Sequence, residues 1–278
     1  MKVSLSCGKL RKLTAQLFKG KRLKCLAAVF IAAVIVNAPS FILENLFSSR
    51  VLSYFLEVYM LVIAGPLALG LACSFTGLFR DGEDTWAENL VRGFSGTGRA
   101  LNLFALTFVF TVLWSMLFIV PGIIAAIRYS QAFFIMADDP LASPMECISK
   151  SKQMMNGNKG KFFLLQLSYL PLALLLSVPS GIAMSAAADF SGAIYESQYM
   201  AVMEKAAADP LVSILSILTV IAVSRMLAAA TCFYDIASGN LRLEFGGQIP
   251  DIQGKDSVDF YEISGFETNS GGSSEEDR

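Results

Sequence analysis

Hydrophobic residues are grouped along this chain in long blocks that are separated by short polar stretches. An α-helix needs about 20 apolar residues to cross a bilayer core of roughly 30 Å. Six blocks come close to this length: Leu26–Leu43, Glu57–Phe79, Leu101–Val120, Pro121–Ala137, Phe162–Ala186 and Leu211–Tyr234. The pattern predicts an all-α fold, a polytopic membrane helix bundle of about six transmembrane helices with short amphipathic interfacial helices.

The third and fourth blocks adjoin and form a single apolar stretch of 37 residues, Leu101–Ala137. As one helix it would be about 55 Å long at ~1.5 Å per residue, far longer than the bilayer core. The stretch must therefore fold back on itself. Pro121-Gly122 is the natural position, because proline removes a helix hydrogen bond and glycine permits a turn.

The distribution of lysine and arginine predicts the direction of the crossings, since basic loops of membrane proteins stay in the cytoplasm. With six crossings, eighteen of the 22 basic residues fall in the leader, the loops 80–100 and 138–161, and the tail. Two fall in the outer loops and two inside the blocks. With five crossings, the four lysines of loop 138–161 would face outward. We therefore expect six crossings, with both termini in the cytoplasm.

This topology divides the chain into three regions. Residues 1–25 form a basic amphipathic cytoplasmic leader, and residues 26–243 form the six-helix transmembrane domain. Residues 244–278 form an acidic cytoplasmic tail, for which we expect disorder because it offers little apolar surface to bury. Leu10, Leu13 and Leu17 share one face of the leader. That face either rests on the anionic inner leaflet or belongs to a solvated arm that only sets topology.

A short helix is predicted after the fourth block. Residues Ser143–Glu146 have the form of a capping box with proline at the first helical position. The helix is expected to run to Met155 and to end at Asn156-Gly157. Its apolar residues Met145, Ile148 and Met155 are expected to rest on the membrane surface.

Arg128 is a charged residue inside the fourth block, and such residues usually face the bundle interior and have a partner. Glu57 is the best partner, because both residues would lie about 10 Å below the outer surface. The pair would serve a substrate or ion path, or it would only fix the register of two helices. A third possibility is that Arg128 extends to the outer headgroups.

Arg225 lies deep in the last block, at the depth of Gln166 and Tyr169. We expect Arg225 either to meet these side chains or to reach the phosphates of the inner leaflet.

Three carboxylates, those of Asp138, Asp139 and Asp235, stand where the fourth and the last blocks leave the membrane. Paired carboxylates can bind a divalent cation or exchange protons. However, the Asp139-Pro140 dipeptide is more typical of the start of a turn, and we expect the same role for Asp235.

The composition argues against most catalytic chemistry. The chain has no histidine, which removes the commonest metal ligand and general base, and its five cysteines form no C-x-x-C pair. No cofactor, metal site or enzymatic activity is expected, and a net charge of −1 gives no field for nucleic acid. We expect a non-enzymatic membrane scaffold or accessory protein that acts through membrane lipids, a membrane-protein partner or a second copy of the chain. The alternative is a small transporter or permease-like protein with a polar intramembrane cavity around Arg128.

Several short motifs carry a resemblance to a known family: Pro121–Ile124, Arg128–Ser130, Ala137–Pro140, Ser149–Ser151, Gly157–Lys159 and Ala230–Asp235. On these motifs the chain resembles an uncharacterised bacterial family of multi-pass integral membrane proteins, the domain of unknown function 975 type. It is also similar, more loosely, to the membrane domain of some glycerophosphodiester phosphodiesterases. The resemblance implies a protein of the bacterial cytoplasmic membrane with about six helices, and it implies no activity. Arg225 stands where the family commonly has a Pro-Tyr pair.

Overall fold

The computed structural model describes residue 3 and residues 5–46, 50–80, 85–171, 210–245 and 261–266. Its elements, in chain order, are α1 (Cys7–Leu17), α2 (Arg22–Leu46), α3 (Arg50–Arg80), α4 (Trp86–Ser95), α5 (Thr97–Leu117), α6 (Ile119–Tyr129), α7 (Ala132–Asp138), α8 (Pro144–Met154), α9 (Lys159–Leu167), α10 (Pro210–Ser238), β1 (Leu241–Phe245) and β2 (Tyr261–Phe266). The predicted all-α fold is confirmed, with one small sheet added to it.

Five apolar helical segments are long enough to cross a membrane: Arg22–Pro39, Tyr54–Arg80, Thr97–Leu117, Ile119–Asp138 and Thr219–Ser238. They correspond to five of the six predicted blocks and indicate a multi-pass membrane protein. The fourth segment consists of α6 and α7, which are separated by a short break at Ser130 and Gln131. The remaining predicted block, Phe162–Ala186, lies outside the described residues from position 172 onward.

The predicted fold-back is present, but its turn lies at Phe118 and not at Pro121-Gly122. Phe118 alone separates α5 from α6, with an extended backbone (φ −159°, ψ 150°). Pro121 lies in the first turn of α6, where the backbone N–H would have no partner within the helix. Gly122 lies against α5, since a Cβ atom built on it would be 2.1 Å from Ser115 Oγ. Proline therefore starts the second helix, and glycine allows the two helices to approach.

The leader is part of the packed protein. Leu10 is fully buried and Leu13 is 2% exposed, in a core that also holds residues of α9 and α10. The Val3 N–H donates to Asn158 Oδ1 at 3.0 Å, and Lys161 Nζ donates to the Val3 carbonyl. The apolar face of the leader is therefore covered by protein, and neither lipid nor solvent covers Leu10 and Leu13. The sequence shows that the leader has an apolar face but does not show whether lipid or protein covers it.

The short helix α8 has the predicted ends. Ser143 and Glu146 form a complete capping box, and the chain leaves the helix through Met155 and the left-handed residue Gly157 (φ 80°). Its predicted contact with the membrane surface is wrong for two of three residues. Ile148 and Met155 are fully buried in the protein core, and only Met145 is exposed.

Part of the predicted disordered tail forms regular structure. β1 and β2 pair in antiparallel fashion, with Leu243 opposite Ile263 and Phe245 opposite Tyr261. Both strands alternate apolar and polar residues over most of their length, which is the strand pattern. The low average hydrophobicity of the tail concealed these two short stretches. The rest of the tail lies outside the described residues.

Candidate functional site

Three helices end at one place, and each brings an ionised side chain to it. Arg80 is the last residue of α3, Asp138 is the last residue of α7, and Asp235 lies in the final turn of α10. Each of these helices ends an apolar segment that is long enough to cross a membrane, and the ends of such segments are where charged side chains first become tolerable. The three side chains form a cluster, which we call the Arg80 cluster.

The guanidinium of Arg80 lies between the two carboxylates. Its Nη1 and Nη2 donate to the two oxygens of Asp138 at 2.6 and 2.9 Å, which is the bidentate geometry that makes such pairs strong. Its Nε donates to Asp235 Oδ1 at 3.0 Å, and Nη2 reaches the same oxygen. The Asp235 side chain is 3% exposed, against 17% for Arg80 and 23% for Asp138. Arg80 therefore neutralises a carboxylate that has almost no contact with water.

Aromatic and amide groups complete the cluster around Asp138. The Tyr234 hydroxyl donates to Asp138 Oδ2 at 2.7 Å, and Asn240 Nδ2 donates to the same oxygen at 3.3 Å. The Tyr234 ring stacks on Phe134 at 5.5 Å and lies 5.8 Å from the Arg80 guanidinium carbon. Asp138 thus has both oxygens occupied by donors. The arrangement joins three helices and leaves its carboxylates little capacity for another ligand.

A cleft of about 430 Å³ opens beside the cluster. It is lined by Ile135, Asp138, Asp139, Lys150, Gln153, Met154, Tyr234, Ala237 and Ser238. Asp139 accepts from Lys150 Nζ at 3.0 Å, and this hydrogen bond lowers the pKa of Asp139 and raises that of Lys150. The cleft therefore has a mixed polar wall, made by α7, α8 and α10.

The predicted turn at Asp139-Pro140 is confirmed. Asp139 accepts hydrogen bonds from the N–H groups of Leu141 and Ala142 at 3.3 and 3.2 Å, as an aspartate at the start of a turn does. Asp235 does not start a turn, because α10 continues to Ser238. Its expected role is replaced by the ion pair with Arg80.

The structure does not form the predicted pair of Arg128 and Glu57. Glu57 is exposed on α3, and the ion pairs between described residues do not include either side chain. Arg128 is half-buried on α6, and its Nε atom is buried with no hydrogen-bond partner within the described residues. Its carbonyl accepts from Ser151 Oγ of α8 at 2.7 Å. The neighbour of the Arg128 segment is thus the polar helix α8, which the depth estimate did not consider.

Gln166 reaches the helix that carries Arg225, but it bonds the backbone and not the Arg225 side chain. Gln166 Nε2 donates to the Met226 carbonyl at 3.3 Å, while the Arg225 side chain is exposed. Tyr169 has a different cation on its ring, the Arg11 guanidinium at 5.6 Å. A cluster of these side chains around Arg225 is therefore not formed.

Residues 99–206 match the family model described as "Protein of unknown function (DUF975)". The DUF975 match begins in α5 and includes α6 to α9, and with them Arg128, Asp138 and Asp139. No curated protein and no solved structure matches the chain. The looser similarity to the membrane domain of glycerophosphodiester phosphodiesterases stays a prediction.

The DUF975 match does not extend to Arg80, Tyr234 or Asp235, and sequence reasoning missed the cluster that they form. In the sequence, Arg80 is only one of the basic residues of the loop 80–100, which indicate topology. One feature of the sequence could have indicated the cluster. One basic residue, Arg80, and two acidic residues, Asp138 and Asp235, each end an apolar block on the same side of the predicted bundle. Within the described residues, no group of three or more Cys, Asp or Glu side chains is placed to hold a metal ion.

Proposed function

We propose that this protein is a non-enzymatic membrane scaffold or accessory protein, which acts by binding membrane lipids or a partner membrane protein. The observation that carries the proposal is the internal satisfaction of the Arg80 cluster. The Arg80 guanidinium binds the carboxylates of Asp138 and Asp235 from two other helices, and the Asp235 side chain is nearly inaccessible to solvent. Groups that carry out a reaction must instead meet a substrate. These side chains hold three helices together, and a protein with such a structural cluster acts through the surface that the helices present.

The exposed surface supports the same proposal. Large apolar side chains are exposed along α2, the first half of α3, and the α5–α6 pair, for example Phe30, Phe55 and Leu113. Such a surface is suited to acyl chains, to another membrane helix or to a second copy of the chain. The distribution of basic residues supports an orientation with both termini in the cytoplasm.

A small transporter is the second candidate, and one observation favours it. The Nε atom of Arg128 and the Oε1 atom of Gln166 are buried without hydrogen-bond partners within the described residues. Unpaired buried polar atoms are costly, so they can mark a place where a polar solute binds. The cleft beside the Arg80 cluster is lined by Asp138 and Lys150, however, and Arg128 is not among its lining residues.

Extraction into native-lipid nanodiscs, followed by mass spectrometry of what co-purifies, tests the proposal. We expect a stoichiometric membrane protein, a second copy of the chain or an enriched lipid class. The Arg128→Met variant is expected to retain the same companions, and Arg92→Met, which changes an exposed arginine, is the matched control. A defined polar solute that the Arg128→Met variant alone loses, with its melting temperature unchanged, would replace the scaffold proposal with transport.

A further inference from the structure

The cleft beside the Arg80 cluster lies where two membrane segments end. The segment Ile119–Asp138 ends in the cleft wall with Asp138, and the segment Thr219–Ser238 ends there with Ser238. The ends of membrane-spanning helices lie at the level of the lipid headgroups. The cleft volume of about 430 Å³ falls within the range of about 300–1,000 Å³ that is common for small-molecule sites. Lipid headgroups are therefore the small molecules that surround this cleft at the highest concentration.

The wall of the cleft combines buried apolar residues with exposed polar ones. Ile135 and Ala237 are buried apolar residues of the wall. Lys150, Gln153 and Ser238 are its exposed polar residues. Small-molecule sites commonly have such a wall, in which apolar surface gives contact area and a few polar groups fix the orientation. The cleft is therefore suited to a polar head that is attached to an apolar body.

The groups that remain available to a ligand are Asp139 and Lys150. The Asp138 carboxylate already accepts hydrogen bonds from the Arg80 cluster. Lys150 Nζ donates to Asp139 Oδ2 at 3.0 Å, and the two side chains are 52% and 44% exposed. An ammonium has three N–H donors, and exposed ion pairs are weak. A ligand that offers each of the two groups a new partner can therefore replace their mutual contact.

A cation and a carboxylate side by side favour a ligand that carries both charges. A phosphate can accept from Lys150, and an ammonium on the same ligand can donate to Asp139. The Gln153 amide on the same wall can donate to the phosphate or accept from the ammonium. A ligand with negative charge alone would be repelled by Asp139, and one with positive charge alone would be repelled by Lys150. The cleft therefore fits a zwitterion.

The aromatic part of the wall favours a primary ammonium over a quaternary one. Quaternary ammonium groups are recognised by the free faces of aromatic rings. The ring that the described residues give to the cleft is that of Tyr234, and it already stacks on Phe134 at 5.5 Å and lies 5.8 Å from the Arg80 guanidinium carbon. A primary ammonium instead needs hydrogen-bond acceptors, which Asp139 and Gln153 provide.

We propose that the cleft binds a phosphoethanolamine group, with the phosphate on Lys150 and the primary ammonium on Asp139 and Gln153. This inference rests on the proposed function, since it names the lipid class that the protein binds and the place where it binds. The group has two possible sources. One is phosphatidylethanolamine, whose acyl chains would lie against the apolar helices, and the other is free glycerophosphoethanolamine.

Native mass spectrometry of the purified full chain tests the proposal. The protein in detergent is mixed with equal amounts of phosphatidylethanolamine, phosphatidylcholine and phosphatidylglycerol. We expect one phosphatidylethanolamine per chain to be retained in preference to the other two lipids. A preference for phosphatidylcholine would contradict the choice of a primary ammonium, and a preference for phosphatidylglycerol would contradict a zwitterion. Either result would overturn the proposal.

Two variants test whether the lipid is held in the cleft. Lys150→Gln removes the cation that binds the phosphate. Asp139→Asn removes the charge that binds the ammonium but keeps the side-chain oxygen that starts the turn. Each variant is expected to bind phosphatidylethanolamine about tenfold more weakly, which corresponds to about 1.4 kcal/mol. Lys19→Gln and Glu88→Gln are the matched controls, because they change an exposed lysine and an exposed glutamate outside the cleft wall and should leave the retention unchanged.

The outcomes distinguish the site from the wider function. If both variants retain phosphatidylethanolamine as the unaltered chain does, the cleft is not its site, although the protein still binds lipid. Free glycerophosphoethanolamine is also added to the delipidated protein. A rise in melting temperature that Lys150→Gln abolishes would assign the cleft to the free compound, whereas selective lipid retention without such a rise would assign it to the lipid. If the three lipids are retained equally and the free compound has no effect, the proposal is overturned, while a co-purifying membrane protein or second copy would still support the scaffold function.

Discussion

Replacement of Arg80 by methionine tests whether the Arg80 cluster holds the bundle together. The substitution keeps an unbranched side chain of similar length and removes the guanidinium. Asp138 and Asp235 then lose the cation between them, and Asp235 is left as a carboxylate that is 3% exposed. Tyr234 and Asn240 still donate to Asp138, but neither neutralises a charge.

The expected loss of stability follows from this geometry. Removal of one partner from a buried ion pair costs about 3–5 kcal/mol, because an uncompensated charge stays behind. Arg80 is 17% exposed, so in the variant water can replace part of the stabilisation that the guanidinium gives to the Asp138 carboxylate. We therefore expect a loss near the lower end, about 3 kcal/mol. This corresponds to a fall in melting temperature of roughly 5–10 °C.

The assay is thermal unfolding of the purified protein in lipid nanodiscs, followed by intrinsic fluorescence. Arg92→Met is the matched control, since it removes an exposed arginine from α4 and should change the melting temperature little. The triple variant Arg80→Met, Asp138→Asn, Asp235→Asn should recover much of the loss, because no buried charge remains. If Arg80→Met unfolds at the same temperature as Arg92→Met, the cluster does not stabilise the bundle and the reasoning fails.

Three further predictions concern packing and pH. Gly93→Ala should lower the melting temperature, because the added Cβ would lie 2.3 Å from a backbone oxygen of α3. Gly98→Ala is the control and should not lower it, because no atom lies within 4 Å of the added Cβ. Equal effects of the two substitutions would contradict a close contact of α3 and α4. Leu13→Ala should cost about 2–5 kcal/mol in the same assay, as for other buried leucines, and Leu23→Ala, at a position 79% exposed, should cost little; a leader that lies outside the core would show no such difference. The backbone N–H at the start of α8 holds the pKa of Glu146 below its usual range. The ionised Glu146 carboxylate therefore stabilises the folded protein fully above the ordinary glutamate pKa of about 4.3. This stabilisation is lost as the pH falls through the lower pKa that Glu146 has in the folded protein. The difference in melting temperature between the unaltered chain and Glu146→Ala should accordingly be present at neutral pH and shrink below about pH 4; a constant difference would show that the carboxylate charge has no part in the cap.

The features that the sequence predicted correctly are those that depend on neighbouring residues. Segment length and apolar content decide which helices can lie in a bilayer, and five predicted blocks appear as such helices. The capping box at Ser143 and the stop at Gly157 are also local, since each involves residues within a few positions. For the same reason the Asp139 turn was predictable from its own dipeptide.

The features that the sequence did not predict depend on which distant segments meet. Arg128 was given a partner by depth alone, and the structure instead places α8 beside it. Arg80 and Asp235 are separated by 155 positions, and nothing local relates them. The turn was placed at Pro121-Gly122 because these residues break helices, yet proline is also accepted in a first helical turn. Residue type therefore located the hairpin but not the residue at which it turns.

The docking of α1 has a consequence for the order in which the protein is assembled. The leader leaves the ribosome before α9 and α10, but Val3 bonds to Asn158, 155 positions later, and the leucines of α1 pack in a core that includes α10. Contacts between segments so distant in sequence form late, because a long loop must close before they gain anything. The leader therefore waits for segments that are made much later, and until α10 is made, the apolar face of α1 must be shielded by another molecule or remain in water.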